Sequence, residues 1–430
     1  MFAKIINKKF NIYTLGCKVN QYESDSMADE LKSKGLKLVS FNEGADICII
    51  NTCSVTNMAE RKSRQIIHRA KKLNPNAVIV AAGCYVQADK AELESDSKID
   101  IVVGNNRKKD IARILAEYFD ENQVQDNYID INKPCEYENM LLIKPEEHTR
   151  AYVKVQDGCN NFCSYCIIPY TRGRIRSRQL EDVVAEITGL ALNGIKEVVI
   201  TGINLSFYED SNGVGLLKLL KAVSQINGIE RIRMGSLEPR IITEEFLQGL
   251  SGDKKICPHF HLSLQSACNE TLKRMNRKYT IEEYMEKCEL IRQYYDRPAI
   301  TTDVIVGFPG ETEEEFATTK ANLEKLNLYE MHIFKYSIRN GTVAATMSNQ
   351  VMDSVKDERS NVLLEMADRH KAEYENSFKG QKLEILVEEY DKDESGCYIK
   401  GHSDRYIYVK RIMDEAFCQN NVNNIIEIEY

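Results

Sequence analysis

Cys159, Cys163 and Cys166 form a Cys-x-x-x-Cys-x-x-Cys loop, and no fourth cysteine nearby completes the set. A structural zinc site takes four ligands and is closed. Three thiolates bunched this tightly suit instead a four-iron cluster with one iron left open. An open iron is a place for chemistry. Tyr165 stands just before the last cysteine, where its ring can lie against a ligand on that iron. The competing reading is three thiols sharing a zinc with a distant histidine.

A second set of three cysteines emerges once strands are placed. Asn11–Leu15, Ala45–Ile50 and Ala77–Ala82 read as buried strands, with helical periodicity at Glu23–Lys34 and Ala59–Leu73 between them. Such alternation implies a doubly wound parallel sheet. Gly16-Cys17 follows the first strand, Asn51-Thr52-Cys53 the second and Gly83-Cys84 the third. Ligands gather beyond the carboxyl ends of strands in these sheets, so one rim receives three thiols. That arrangement suggests a second cluster with three protein ligands; the competing reading is isolated, inert core thiols. Cys48 lies within a strand and reads as core. Cys135, Cys257, Cys268, Cys288, Cys397 and Cys418 read as structural or incidental.

Residues 8–125 make this first domain, and the polar stretch 126–148, with Pro134 and Pro145, reads as a linker. Residues 149–372 resume the alternation. Strands are expected at Ala151–Val155, Glu197–Ile200, Arg231–Met234, His259–Leu264, Ala299–Val306 and Tyr329–Tyr336. Six strand–helix units suggest a partial (β/α)6 barrel, whose active site belongs at the strand carboxyl ends. The Cys159 loop directly follows the first of those strands. Gly202 ends the second, Ser236 and Glu238 the third and Gly307 the fifth, offering backbone, hydroxyl and carboxylate groups to a ligand on one rim. Residues 376–430 read as short β-strands forming a small all-β barrel, with Tyr398, Tyr406 and Tyr408 as candidates for base stacking.

The net charge of −8 excludes a protein that coats nucleic acid over its whole surface, and the segment from residue 376 is locally acidic. A local basic site is still compatible, because exposed charges more than ~10 Å apart are largely screened. Arg172, Arg174, Arg176 and Arg178 follow the three-cysteine loop at alternate positions and read as a phosphate-reading strip. The basic helical run from Arg61 to Lys72 reads as a solvated face. No apolar run has the length of a membrane span or a signal peptide. A cytoplasmic location follows, where thirteen cysteines are better explained by metal than by disulfides.

With both triplets placed, the chain resembles the radical S-adenosylmethionine (SAM) methylthiotransferases over essentially its full length. The resemblance implies an N-terminal domain holding an auxiliary 4Fe-4S cluster on Cys17, Cys53 and Cys84. It implies a second 4Fe-4S cluster on Cys159, Cys163 and Cys166 that binds SAM, and a C-terminal RNA-binding TRAM barrel. Tyr165, Gly202, Ser236, Glu238 and Gly307 fall where SAM contacts are expected. In that family two SAM molecules serve each turnover, one methylating a sulfur species and one yielding the radical that abstracts hydrogen. The run Thr14-Leu15-Gly16-Cys17-Lys18-Val19-Asn20-Gln21-Tyr22-Glu23 is similar to the branch acting on N6-threonylcarbamoyladenosine 3′ of the anticodon. The stretch from Gln156 through Cys163 to Arg178 points to the same branch. The implied partners are a tRNA anticodon stem-loop, an electron donor such as flavodoxin or ferredoxin, and a sulfur donor, without a membrane. The alternative targets within the family are isopentenyladenosine in tRNA and a ribosomal protein aspartate.

Overall fold

The computed structural model describes residues 2–121, 127–145 and 149–430. Residues 126 and 146–148 of the expected linker lie outside these. The chain divides into two compact units. The first holds Met1–Glu146, Tyr152–Asp182 and Ser337–Ala345; the second holds Glu147–Ala151, Val183–Tyr336 and Thr346–Tyr430. This division differs from the sequence-based domains at one functional point, because the segment carrying Cys159, Cys163 and Cys166 packs with the N-terminal sheet.

In the first unit β1 (Lys9–Thr14), β2 (Lys37–Leu38), β3 (Ile47–Thr52), β4 (Val78–Gly83) and β5 (Ile101–Val103) form a parallel sheet in the order β2-β1-β3-β4-β5. Every residue of β3 and β4 is buried. Strands covered on both faces read as continuous apolar runs, which is why the Ile, Val and Ala content of these two places them at the sheet centre. Cys48 is fully buried there, as expected. The strand order puts the topological switch point between β1 and β3, where open α/β sheets bind their ligands. β6 (Arg150–Asp157) pairs antiparallel with the two-residue β7 (Arg176–Ser177), Asp157 opposite Arg176.

In the second unit β8 (Glu197–Gly202) and β9 (Arg231–Met234) are parallel neighbours. β10 (His259–His261), β11 (Ala299–Val306) and β12 (Glu330–Lys335) form a parallel set, joined to the β9 end by the Leu237–Leu262 bridge. Thr280 with Glu283, and Thr312 with Glu315, form capping boxes that start the helices Ile281–Tyr294 and Glu313–Leu326.

The C-terminal strands β13 (Lys382–Asp393), β14 (Gly396–Ser403), β15 (Tyr408–Met413) and β16 (Ile425–Glu429) make an antiparallel sheet ordered β15-β14-β13-β16. It is half a barrel, with a helix at Glu415–Asn421 that the sequence pattern did not announce. Leu383, Ile385, Ile407 and Val409 share a core with Ala299 and Tyr329 of the parallel strands. Arg231 donates to the carbonyls of His402 and Glu384, and Arg233 to those of Ser403 and Asp404. A cut after Ser377 would therefore open the second unit's core, and point substitutions are the better probe of this sheet. Its expected stacking tyrosines differ in fate. Tyr398 is buried, Tyr406 lies stacked between His259 and His402, and only Tyr408 is exposed, at 47%.

Candidate functional site

Cys17 ends the β1 turn and is the N-cap of the helix Lys18–Ser33, so the helix N-terminus favours its thiolate. Cys53 follows β3 and Cys84 follows β4, which brings all three thiols to one rim at the switch point. They sense one another. Burial raises the Cys17 thiol and the Cys84 charge adds to it, while Arg172 opposes. Burial and the neighbouring Cys84 push Cys53 up to about 12. Cys17 is exposed to solvent, whereas Cys53 and Cys84 are buried.

The surroundings fit a group bound by these thiols. Gly16 has φ +97°, and a Cβ there would sit 2.8 Å from the Cys53 sulfur. Gly83, φ +103°, would place a Cβ 2.5 Å from the Thr52 carbonyl oxygen. Both Gly-Cys turns thus need glycine to deliver their thiols. The Asn105 amide donates to Cys84 Sγ at 3.6 Å. The buried Ser54 hydroxyl, next to Cys53, has no partner among the described residues and can donate to a ligand sulfur. A Gly16→Ala variant is expected to lose most of the iron of this site while retaining the cluster of the other triplet. Iron analysis with electron paramagnetic resonance of the reduced protein checks this; a full complement at both sites would contradict it.

Cys159, Cys163 and Cys166 lie in the loop after β6, within the same unit. The Cys159 N–H donates to the Gly173 carbonyl at 3.1 Å, and Cys166 N–H to the Cys163 carbonyl at 2.9 Å. Phe162 takes φ +48°, a strained conformation for a bulky side chain, and its ring packs edge-on against Tyr170 and under Arg174. Tyr165 is half-buried in this loop.

The expected arginine strip is corrected by burial. Arg172 is fully buried, and Arg178 is buried with Nη1 donating to the Tyr22 hydroxyl at 3.3 Å. Arg176 is half-buried, donating to Cys135 Sγ and to the Arg172 carbonyl. Only Arg174 is exposed. β7 spans two residues, so the alternation is no extended surface strand.

Arg172 instead centres an ion network that sequence reasoning missed. Its Nη1 lies 2.9 Å from Glu23 Oε1 and 3.1 Å from Asp157 Oδ1, and its Nη2 donates to Asn20 Oδ1 at 2.6 Å. Lys154 reaches Glu23 at 2.9 Å and Asp157 at 3.3 Å, and Lys108 also pairs with Glu23. Burial works against each charge, but the partners outweigh it. Glu23 is held well below the usual carboxylate range by Arg172, Lys108 and Lys154. Asp157 is held at about 2 by Arg172 and Lys154. Arg172 is raised, with Cys84 the first of its favourable neighbours. Asn20 and Glu23 sit on the helix that Cys17 caps; Asp157 and Arg172 flank the Cys159 loop. One salt-bridged joint therefore ties together the segments bearing both triplets. The local signal was Lys154 inside an otherwise buried strand, where an unpaired ammonium is prohibitive.

In the second unit the expected SAM contacts share the carboxyl rim of the parallel strands. Gly202 ends β8, Ser236 and Glu238 follow β9, and Gly307 follows β11. Glu238 is buried and receives Arg240 at 3.2 Å. The Gly307 N–H donates to the Glu311 carboxylate at 3.2 Å.

An open parallel barrel and a three-cysteine loop after a strand, together with a second cysteine rim on a doubly wound sheet, define a radical SAM enzyme with an auxiliary cluster. Comparison with known proteins agrees. Residues 153–322 match the radical SAM superfamily, and residues 9–104 match a family described as uncharacterized protein family UPF0004. The chain is 40% identical over 401 residues, 92% of its length and 89% of the relative's, to the threonylcarbamoyladenosine tRNA methylthiotransferase MtaB of Bacillus subtilis (strain 168). It is 38% identical over 397 residues, 90% of its length and 84% of the relative's, to the tRNA-2-methylthio-N(6)-dimethylallyladenosine synthase of Thermoanaerobacter sp. (strain X514). Among solved structures, the radical S-adenosylmethionine methyltransferase TsrM from Kitasatospora setae shares the fold, with TM-score 0.57, 16% identity and coverage of 79% of this chain and 77% of that one. The chain belongs to the radical SAM methylthiotransferase family, whose cofactors are SAM and 4Fe-4S clusters.

Proposed function

We propose that this chain places a methylthio group on C2 of the adenine in N6-threonylcarbamoyladenosine, 3′ of the tRNA anticodon. The observation that carries the reading is 40% identity to the Bacillus subtilis enzyme across 92% of the chain, in a chain whose two cysteine triplets stand after strands β1, β3 and β4 and after β6. Cys17, Cys53 and Cys84 hold the auxiliary cluster; Cys159, Cys163 and Cys166 hold the SAM cluster. Tyr165, Gly202, Ser236, Glu238 and Gly307 are the residues assigned to SAM.

When bound, the two clusters and SAM supply one-electron reduction, radical generation and sulfur transfer, chemistry beyond side chains alone. The protein's own contribution is placement. Three thiolates leave a coordination position open at each site. Asn105 donates toward Cys84, and Arg172 sets a permanent positive charge beside the Cys17 and Cys84 sulfurs. For the RNA, Arg174 and Tyr408 are the exposed cation and ring on which grip depends. An anticodon loop suits them because its bases can be unstacked and splayed. A flavodoxin- or ferredoxin-type electron donor and a sulfur donor complete the cytoplasmic system. Among the described residues no helix is long and apolar enough to cross a membrane.

The test is reconstituted enzyme with a chemical reductant, sulfide, SAM and an anticodon stem-loop bearing threonylcarbamoyladenosine. The expected result is a 2-methylthio product nucleoside. Product only on the dimethylallyl-bearing stem-loop would overturn the substrate.

A further inference from the structure

We infer that His261, Asp303 and His332, on three adjacent parallel strands of the second unit, read the polar N6 substituent of the nucleoside; this rests on the substrate reading above.

The three side chains converge. Their ligand-type atoms all lie within 4.8 Å of one another. His261 Nε2 is 3.3 Å from Asp303 Oδ2, while its Nδ1 is 3.0 Å from Thr301 Oγ1. Asp303 and His332 are register partners on β11 and β12. Strand alternation separates two faces here. Phe260, Leu262, Thr302, Val304 and Met331 are buried on one, whereas His261, Asp303 and His332 stand on the other with solvent access.

Toward the amino ends of the strands that second face is closed. Glu197, Arg233 and His259 are buried, with the Tyr406 ring stacked on His259 at 4.8 Å. Toward the carboxyl ends it is open. Phe334, two residues beyond His332 on the same face, is 47% exposed. The chemistry from floor to mouth is thus a polar triad beneath an exposed aromatic ring. That order fits a base stacked on the ring with its substituent directed at the triad.

The two substituents named for the relatives differ in the way such a site can distinguish. A threonylcarbamoyl group carries a carboxylate, a hydroxyl and urea N–H groups. The exposed His332 offers a ring N–H to the carboxylate, while His261, engaged through both ring nitrogens, holds Asp303 in place to accept from the hydroxyl or the urea. A dimethylallyl group is a hydrocarbon that would strip water from three polar side chains and pair none of them. Sites built to hydrogen-bond a substrate reject an analogue lacking those groups far more sharply than apolar pockets reject an added hydroxyl.

The experiment compares His332→Ala, Asp303→Asn and the wild type for binding of two stem-loops, one bearing threonylcarbamoyladenosine and one isopentenyladenosine. Product formation on both is measured alongside. Circular dichroism and thermal unfolding of the whole chain, which include the second unit that carries the substitutions, report that each variant is folded. The expected result is roughly 10-fold or greater weakening toward the threonylcarbamoyl stem-loop, read in binding and KM, with little change toward the other. An unchanged preference in folded variants would overturn the inference. So would a tightly bound zinc or manganese ion in the wild type that His332→Ala loses, since the triad would then be a metal site. If the wild type gives no product on the threonylcarbamoyl stem-loop, the substrate reading itself has failed.

Discussion

Replacing Cys17 with alanine should abolish methylthiolated product while 5′-deoxyadenosine continues to form from SAM. Cys17 shares its rim with Cys53 and Cys84, and none of the three belongs to the Cys159 loop. Changes to residues that merely orient metal ligands typically cost 10–100-fold. Loss of a ligand should therefore lower product by more than ~100-fold. Iron should fall by about half, as expected when one of two four-iron clusters is lost. Cys163→Ala is the opposite control, with no SAM cleavage at all. Chromatography of 5′-deoxyadenosine and of the product nucleoside separates the two outcomes. Normal product from Cys17→Ala would remove the auxiliary site from the reaction.

Replacing Arg172 with methionine should destabilise the first unit by about 3–5 kcal/mol, because the buried Glu23 and Asp157 would lose one of the two cations they share and keep only Lys154 between them. The wild type's acid sensitivity has the same origin. Glu23 and Asp157 have folded pKa values below their unfolded ones, so their contribution is present above pH ~4.3 and is lost as pH falls toward about 2. Thermal unfolding followed across that window should show a steep loss in the wild type and a shallower one in Arg172→Met. Arg172 also places positive charge beside Cys17 and Cys84, so its removal should make the auxiliary cluster harder to reduce. Equal stability and an unchanged potential would show that the joint is incidental.

The parts of this protein that were legible in its sequence are those encoded locally. Strand, glycine and cysteine recur in fixed order at Cys17 and Cys84, and that order alone located the rim. The eight-residue strand β11 was readable from its apolar run to the residue. The short edge strands β2 and β5 and the helix Glu415–Asn421 were not, since two to seven residues carry little periodic signal. The arginine run misled for a different reason. Its spacing suggested an exposed strip, but the carboxylates that claim Arg172 include Glu23, which lies 149 positions earlier in the chain. Nothing local to Arg172 records that partner. The polar triad was invisible for the same cause, with His261, Asp303 and His332 meeting only through the pairing of three strands.

The most direct test of the central claim is mass spectrometry of tRNA nucleosides from cells with and without this chain. Loss of the 2-methylthio form with accumulation of N6-threonylcarbamoyladenosine is the result expected. Unaltered threonylcarbamoyladenosine nucleosides alongside loss of methylthio-isopentenyladenosine would contradict the substrate and leave the family reaction standing.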